Sequence, residues 1–226
     1  MTGFGGTPVQ YAITVNSYSE RPKEAFLHAG LHYRRLAQFL RPAQTPRPVT
    51  PSAPAPFIHV VVHDWSKTGR IPNCYDTESG LQNLAQLPPP EPGKVRLIFL
   101  RGYSSRDWIL QLGAQYRIHP EYFRRHLDFL QPQEFYDLPT LPSSSRNVLQ
   151  LRIVTICTRE VAFTQEQIEN SRIEEIKAVK THQRHLGETA GESIIRRYSI
   201  HGESIFTLEQ EVSLCIKRKN GGCVGM

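Results

Sequence analysis

His182 and His185 stand three residues apart in a stretch of helical pattern, a spacing at which two imidazoles can share one metal ion. A closed site needs further ligands, and no third one is near in sequence. Both histidines sit towards a polar helix end, where solvated imidazoles are the simpler reading. His63-Asp64 follows an apolar run, a place where a catalytic base and its orienting acid can sit. No serine or cysteine nucleophile motif, glycine-rich phosphate loop or paired-acid motif accompanies it. Gly3-Phe4-Gly5-Gly6 does not follow a strand, so it is no dinucleotide loop. Arg124-Arg125-His126 can touch phosphate or a lipid headgroup, although an exposed helix face accounts for it equally well. His119, directly before Pro120, reads as a cap or corner residue. No catalytic residue, cofactor-binding residue or metal ligand is assigned, no cofactor is expected, and the chain does not read as an enzyme.

The four cysteines, Cys74, Cys157, Cys215 and Cys223, include no C-x-x-C pair. Cys157 and Cys215 lie in apolar strand-like segments, where a small buried thiol is common, so structural thiols are expected rather than a disulfide framework. The formal charge is +6, from basic pairs at Arg34-Arg35, Arg124-Arg125 and Arg196-Arg197 and the run Lys217-Arg218-Lys219. Such a balance attracts nucleic acid or anionic lipid when the charges converge, and marks solvated faces when they are dispersed.

With 226 residues the chain suits one domain with excess length, and its hydrophobic share of 39% suggests that part of it is not folded. The prolines indicate which part. Pro42, Pro46, Pro48, Pro51, Pro54 and Pro56 crowd the segment Arg41 to Pro56, which reads as a linker. Residues 1–56 are therefore expected as an N-terminal helix, Phe26 to Leu40, plus a Pro-rich linker, largely disordered. Residues 57–226 form the expected domain. Its apolar runs, such as Phe57 to Val62 and Val95 to Leu100, are far below the roughly 20 residues a spanning helix needs. The N-terminus has neither the basic start nor the apolar run of a secretory signal, so a cytoplasmic location is expected.

Phe57 to His63 reads as a strand, and Leu87 to Gly93 interrupts the pattern with a triple proline. Val95 to Leu100 is a second strand closed at Arg101-Gly102. Ser104 stands three residues before Asp107, the spacing of a capping box. Trp108, Ile109, Leu112 and Tyr116 then supply one face of a helix. Ile118-His119-Pro120 breaks it, and a new helix carries Tyr122, Phe123, Leu127 and Leu130. Gln131 to Arg146 reads as loop. In Val148 to Thr158, Leu149, Leu151 and Ile153 alternate with Gln150, Arg152 and Val154, which predicts a strand with that apolar row towards a core. Thr164 with Gln167 opens a helix running to about His185 and stopped at Gly187. Ser193 to Ile200 and Glu209 to Lys217 are two further strands. Asn220-Gly221 is a hairpin-type turn with no returning strand expected, so the sheet reads as cut off at its C-terminal edge, leaving Glu211 to Lys217 unpaired. The fold class is thus α/β (α+β): a mixed sheet with helices packed on its faces, preceded by the Pro-rich region.

The stretch WILQLGAQYRIHPEYFRRHL, Trp108 to Leu127, resembles part of the CorA-like divalent-cation transporter family, which includes the zinc-transporting ZntB branch. In that family a strand leads into a helix, and a corner reading roughly glycine, hydrophobic residue, histidine and proline opens the next helix, which Ile118-His119-Pro120 resembles here. Val95 to Leu100, Leu149 to Ile156 and Glu211 to Ile216 stand where the family places strands of its cytosolic sheet. The wording FLRGYSSRDWILQLGAQYRIHPEYFRRHLDF is similar to CorA-related proteins of filamentous fungi. The matched part spans residues 95–218. The family conducts ions through two membrane helices joined near a Gly-Met-Asn motif, and the sequence carries neither. The resemblance therefore implies a cytosolic regulatory or assembly domain that does not itself conduct ions, with further copies or membrane-protein subunits as partners and weak divalent-cation binding. The alternative from another class is a basic module that binds nucleic acid or anionic lipid.

Overall fold

The computed structural model describes residues 6–20, 33–41, 60–66, 69–75, 78–127, 147–185, 193–219 and 221–226. Most of the expected linker to Pro56, the loop Gln131 to Arg146, the stop at Gly187, Asn220 and the glycines at 3 and 5 lie outside the described residues. The described residues form a mixed α/β fold. Helices α1 (Pro8–Ser19) and α2 (Arg34–Phe39) come first, then strands β1 (Val60–Ser66) and β2 (Gly69–Tyr75) and helix α3 (Glu78–Ala85). Strand β3 (Val95–Leu100), helices α4 (Arg106–Tyr116) and α5 (Pro120–Leu127) and strand β4 (Val148–Thr158) follow. Helix α6 (Gln165–His185) and strands β5 (Ile195–Ile200), β6 (Ile205–Lys219) and β7 (Gly222–Gly225) complete the chain.

The strands make one seven-stranded sheet in the order β2-β1-β3-β7-β6-β4, with β5 also paired to β6. All ladders are antiparallel except β3 with β7, which is parallel. Strand β6 is the spine. Its 15 residues reach about 50 Å at 3.4 Å per residue. Strand β4 pairs along it from Ile205 to Cys215, while the other side takes β5 near Phe206 to Gln210 and β7 at Ile216 to Lys219.

Strand β7 overturns the expectation of a missing return. Lys219 pairs with Gly222 and Ile216 with Gly225, a two-residue hairpin whose Gly221 has φ +76°. Short and glycine-rich, the segment offers no alternating pattern, yet it lies inside the sheet between β3 and β6. Glu211 to Lys217 is therefore paired, not an open edge.

One face of the β1–β3–β7–β6 part meets helices. Val60, Val62, Ile98, Cys215 and Val224 are buried there in one cluster with Leu112, Tyr116 and Phe123. Helix α1 lies within the residues 1–56 expected to be largely disordered, yet it contributes Tyr11 and Val15 to that core. Tyr11 lies against Gly113 of α4, where a Cβ would come within 2.5 Å of its ring. Its hydroxyl donates to the Ile118 carbonyl at 3.0 Å. Of the expected helix Phe26 to Leu40, the described part is α2, with Leu36 and Leu40 buried.

The helix–corner–helix unit has the expected form. Helix α4 ends at Arg117 in the left-handed conformation (φ 53°), and His119 Nδ1 accepts from the Glu121 amide at 3.2 Å, capping α5. The start of α4 differs from expectation. Ser105, not Ser104, is the cap residue, no side chain closes the cap, and Ser104 is buried with its hydroxyl unpartnered among the described residues. The second capping box is as read: Thr164 and Gln167 exchange hydrogen bonds of 2.9 and 3.3 Å.

Two ion pairs, one half-buried and one buried, fix this layer. Arg96 on β3 holds Asp64 on β1 through bonds of 2.6 and 2.8 Å and also donates to the Pro88 carbonyl. Glu121, fully buried on α5, accepts from Arg124 at 2.8 and 2.9 Å, from Arg125 at 2.6 Å and from the Tyr33 hydroxyl at 3.1 Å. Burial alone would raise the Glu121 pKa. The hydrogen bonds and charges of Arg124 and Arg125 overcome this and lower it from 4.5 to about 2.

A depressed folded-state pKa stabilises the fold above the unfolded value, and that stability is lost as the pH falls from 4.5 through about 2. Glu121→Gln removes this acid dependence and leaves two arginines uncompensated, so it destabilises the protein at neutral pH by about 3–5 kcal/mol. Urea unfolding midpoints across the acid range check both effects. Gly113→Ala places a methyl group against Tyr11 and costs about 1–3 kcal/mol, read from the same midpoints at pH 7.

Candidate interaction surface

Alternation places Leu149, Leu151 and Ile153 on one face of β4, and the register sets Leu149 opposite Leu214 and Leu151 opposite Val212 of β6. A row of this kind normally packs on a core. Here the row faces outward. Leu149, Leu151 and Ile153 are 54%, 45% and 44% exposed, and Val212, Leu214 and Ile216 beside them are exposed as well. The expectation that these residues point towards the core is corrected: the helices α4 and α5 pack on the opposite face, where Tyr122 donates to the Ser213 carbonyl and Cys215 is buried.

The bare face continues across the sheet. Val95 and Phe99 on β3 and Trp65 on β1 are exposed and share its parity. Leu97 lies over Gly225, where a Cβ would meet it at 2.9 Å. From β1 to β4 there are four strand spacings, about 19 Å at 4.8 Å each, and the rows run about 14 Å along the strands. That footprint, on the order of 300 Å², is at the lower end of the largest apolar patches that monomers expose, which are often functional.

Helix α6 covers the same face only at its far end. Ile168 is buried, Arg172 Nε donates to the Ile200 carbonyl at 3.2 Å, and the helix packs on β5. Arg159 closes that end, its guanidinium 3.8 Å from the Phe163 ring centre and 4.9 Å from that of Phe206. The two helical layers are thus staggered, one on each face, and the middle of β4 and β6 is left bare between them.

The residues singled out by type are dispersed by the fold. His63 is buried edge-on against Phe99, whereas Asp64 points to the other face and holds Arg96, so they do not form a pair. His182 Nε2 lies 3.0 Å from the Ser193 carbonyl oxygen. Among the described residues, no group of three or more histidines, cysteines or acids is placed to hold a metal. Arg124-Arg125-His126 is not an exposed basic face. The two arginines are spent on Glu121, and His126 is half-buried, stacked on Tyr122 and 3.4 Å from the Ser213 hydroxyl. Burial, then the Arg196 charge, lowers the His126 pKa to about 4, so it is neutral at pH 7. Arg196 meets Glu211 at 3.5 Å, and Lys217 donates to the Arg117 carbonyl. Arg124, Arg125, Arg196 and Lys217 are thus taken up in separate structural contacts, whereas Arg34, Arg35, Arg197 and Arg218 are exposed at separate places in the fold. Cys215 is buried, Cys157 and Cys223 are half-buried and Cys74 is exposed.

No helix among the described residues is long and apolar enough to cross a membrane. No protein-family model matches the chain, and neither a curated protein nor a solved structure matches it.

Because the Leu214 side chain is outside the core, Leu214→Ser changes unfolding free energy by no more than about 0.5 kcal/mol. Leu112→Ala on the helical side costs about 2–5 kcal/mol. Paired denaturation curves check the contrast.

Proposed function

We propose that the chain is a cytosolic regulatory or assembly domain, related to CorA-like transporters and not itself conducting ions, that seats against neighbouring subunits through its bare sheet face. The single observation that carries the reading is the apolar face of β4 and β6. A sheet is hydrophobic on the face that meets another layer, and a face left in water at this size calls for a partner. Leu149, Leu151, Ile153, Val212 and Leu214 supply the dry centre of such a contact. These five residues carry no charge, and the exposed Arg218 of the same face lies two residues beyond Ile216 at its margin, so burying the centre strands no ion. The resemblance of Trp108 to Leu127 supplies the family, and with it the divalent cation as the regulator to test. Nucleic-acid binding is the weaker reading, because the adjacent Arg124 and Arg125 already hold Glu121, Arg196 meets Glu211, and the exposed arginines lie on different elements.

Sedimentation velocity over a concentration series, with and without Mg²⁺ or Zn²⁺, tests the proposal. Wild type forms concentration-dependent assemblies whose distribution shifts with the cation. The double variant V212E/L214E loses the largest of them while its Tm stays within about 4 °C. A double variant that sediments like wild type at every concentration would overturn the reading.

A further inference from the structure

Strand β4 ends the sheet, and its outer edge is a second surface distinct from the bare face. Among the described residues nothing pairs with that edge. Natural edge strands are blunted by bulges, prolines, lysines or inward charges. Strand β4 has no bulge, proline or lysine. Its ladder with β6 runs without a shift from Val148–Cys215 to Thr158–Ile205, and its one charge, Arg152, is 77% exposed.

The geometry points to a second copy of this chain as the occupant, joined edge to edge through β4 about a two-fold axis at Leu151. The first argument is the sequence of the edge. Val148-Leu149-Gln150-Leu151-Arg152-Ile153-Val154 is a palindrome in chemical type. Antiparallel pairing about Leu151 sets Val148 against Val154, Leu149 against Ile153, Gln150 against Arg152 and Leu151 against itself. Every apolar residue meets an apolar one and the polar pair meets itself, as favourable cross-strand pairs require. Centring on Arg152 opposes two arginines, and centring on Ile153 sets Arg152 against Val154 and Gln150 against Ile156.

The second argument is the backbone. Ile216 donates to the Asn147 carbonyl at 3.0 Å, so Asn147 and every second residue after it turn their amides and carbonyls towards β6. Val148, Gln150, Arg152 and Val154 therefore direct theirs outward. These are the residues that must exchange hydrogen bonds in the two-fold register, and Leu151 falls at a non-hydrogen-bonded pair. The third argument is charge. Gln150 donates its amide to Glu211, which leaves its side-chain carbonyl free for the Arg152 guanidinium of the other copy. Pairing also keeps Leu149, Leu151 and Ile153 of both copies on one side, so the two bare faces merge into one platform.

The inference extends the assembly reading but has its own readout. Leu151 Cα atoms about 4.5 Å apart across the axis lie within disulfide range. In a background carrying Cys74→Ser and Cys157→Ser, Leu151→Cys forms a disulfide-linked dimer on mild oxidation, at least tenfold faster than Ile153→Cys or Val212→Cys. The link persists in V212E/L214E, which alters only the face. Arg152→Pro removes an outward amide at a position where an edge strand tolerates proline. It abolishes the dimer and the concentration-dependent hydrogen-exchange protection of the Gln150 amide, with unchanged far-ultraviolet circular dichroism. Cross-linking of Leu151→Cys no faster than of Val212→Cys overturns the edge pairing. If assemblies nonetheless form and V212E/L214E removes them, the edge pairing falls and the face reading stands. If Leu151→Cys links while V212E/L214E sediments like wild type, the edge pairing stands and the face reading falls.

Discussion

The carboxylate of Glu121 has no exposure to solvent, and the structure is organised around its neutralisation. A buried carboxylate without partners costs several kcal/mol. Three groups meet this one, and they come from two parts of the chain: Arg124 and Arg125 from its own helix and Tyr33 from the start of α2. The contact therefore closes only when α2 is docked on α5. Helix α1 is committed to the same layer, because Tyr11 needs both the glycine notch at Gly113 and the Ile118 carbonyl. Once these contacts are made, α1, α2, α4 and α5 are all spent on one face of the sheet.

That commitment leaves the other face short of cover. The long strand β6 extends past the helical layer in one direction, and there α6 takes the opposite face over β5, fixed by Ile168 and the Arg159 stack on Phe163 and Phe206. Neither layer reaches the middle of β4. Val154 and Ile156, on the β4 face that the helices of the first layer would need to extend over, are also exposed. The bare apolar rows follow from a sheet longer than either helical layer, not from a local irregularity in the strands.

Much of this was legible in the sequence where one pattern dominates locally. Strand β4 has the expected bounds, Thr164–Gln167 closes the expected capping box, and the His119-Pro120 corner joins two helices. Four things were not legible. Strand β7 is Gly-Cys-Val-Gly, too short and too rich in glycine to show a period, and only its neighbours β3 and β6 make it a strand. Strand β2 contains Pro72, which argues against a strand in general but is tolerated at a sheet edge, where β2 lies. Helix α1 sets Tyr11, Val15 and Tyr18 at i, i+4 and i+7, but the exposed Val9 and Ile13 blur that stripe, and its docking depends on a glycine about a hundred residues away. The arginines of α5 read as surface charge because nothing in their spacing reveals that Glu121 is enclosed.

The largest difference, the outward row on β4, has a more general cause. A period of two tells which side chains share a face, but not which of the two faces the helices will choose. Leu149, Leu151 and Ile153 are more apolar than Gln150, Arg152 and Val154, so hydropathy alone sends them inward. The ladder decides otherwise. Leu214 and Val212 lie opposite them, whereas Ser213 and Cys215 are the β6 residues that meet Tyr122 and the helical core. Small side chains at 213 and 215 let α5 approach the sheet closely, and the bulkier leucine and valine at 214 and 212 must then turn to the other side. The choice of face is made by the size of two residues on the neighbouring strand, and the apolar surface available for assembly is its consequence.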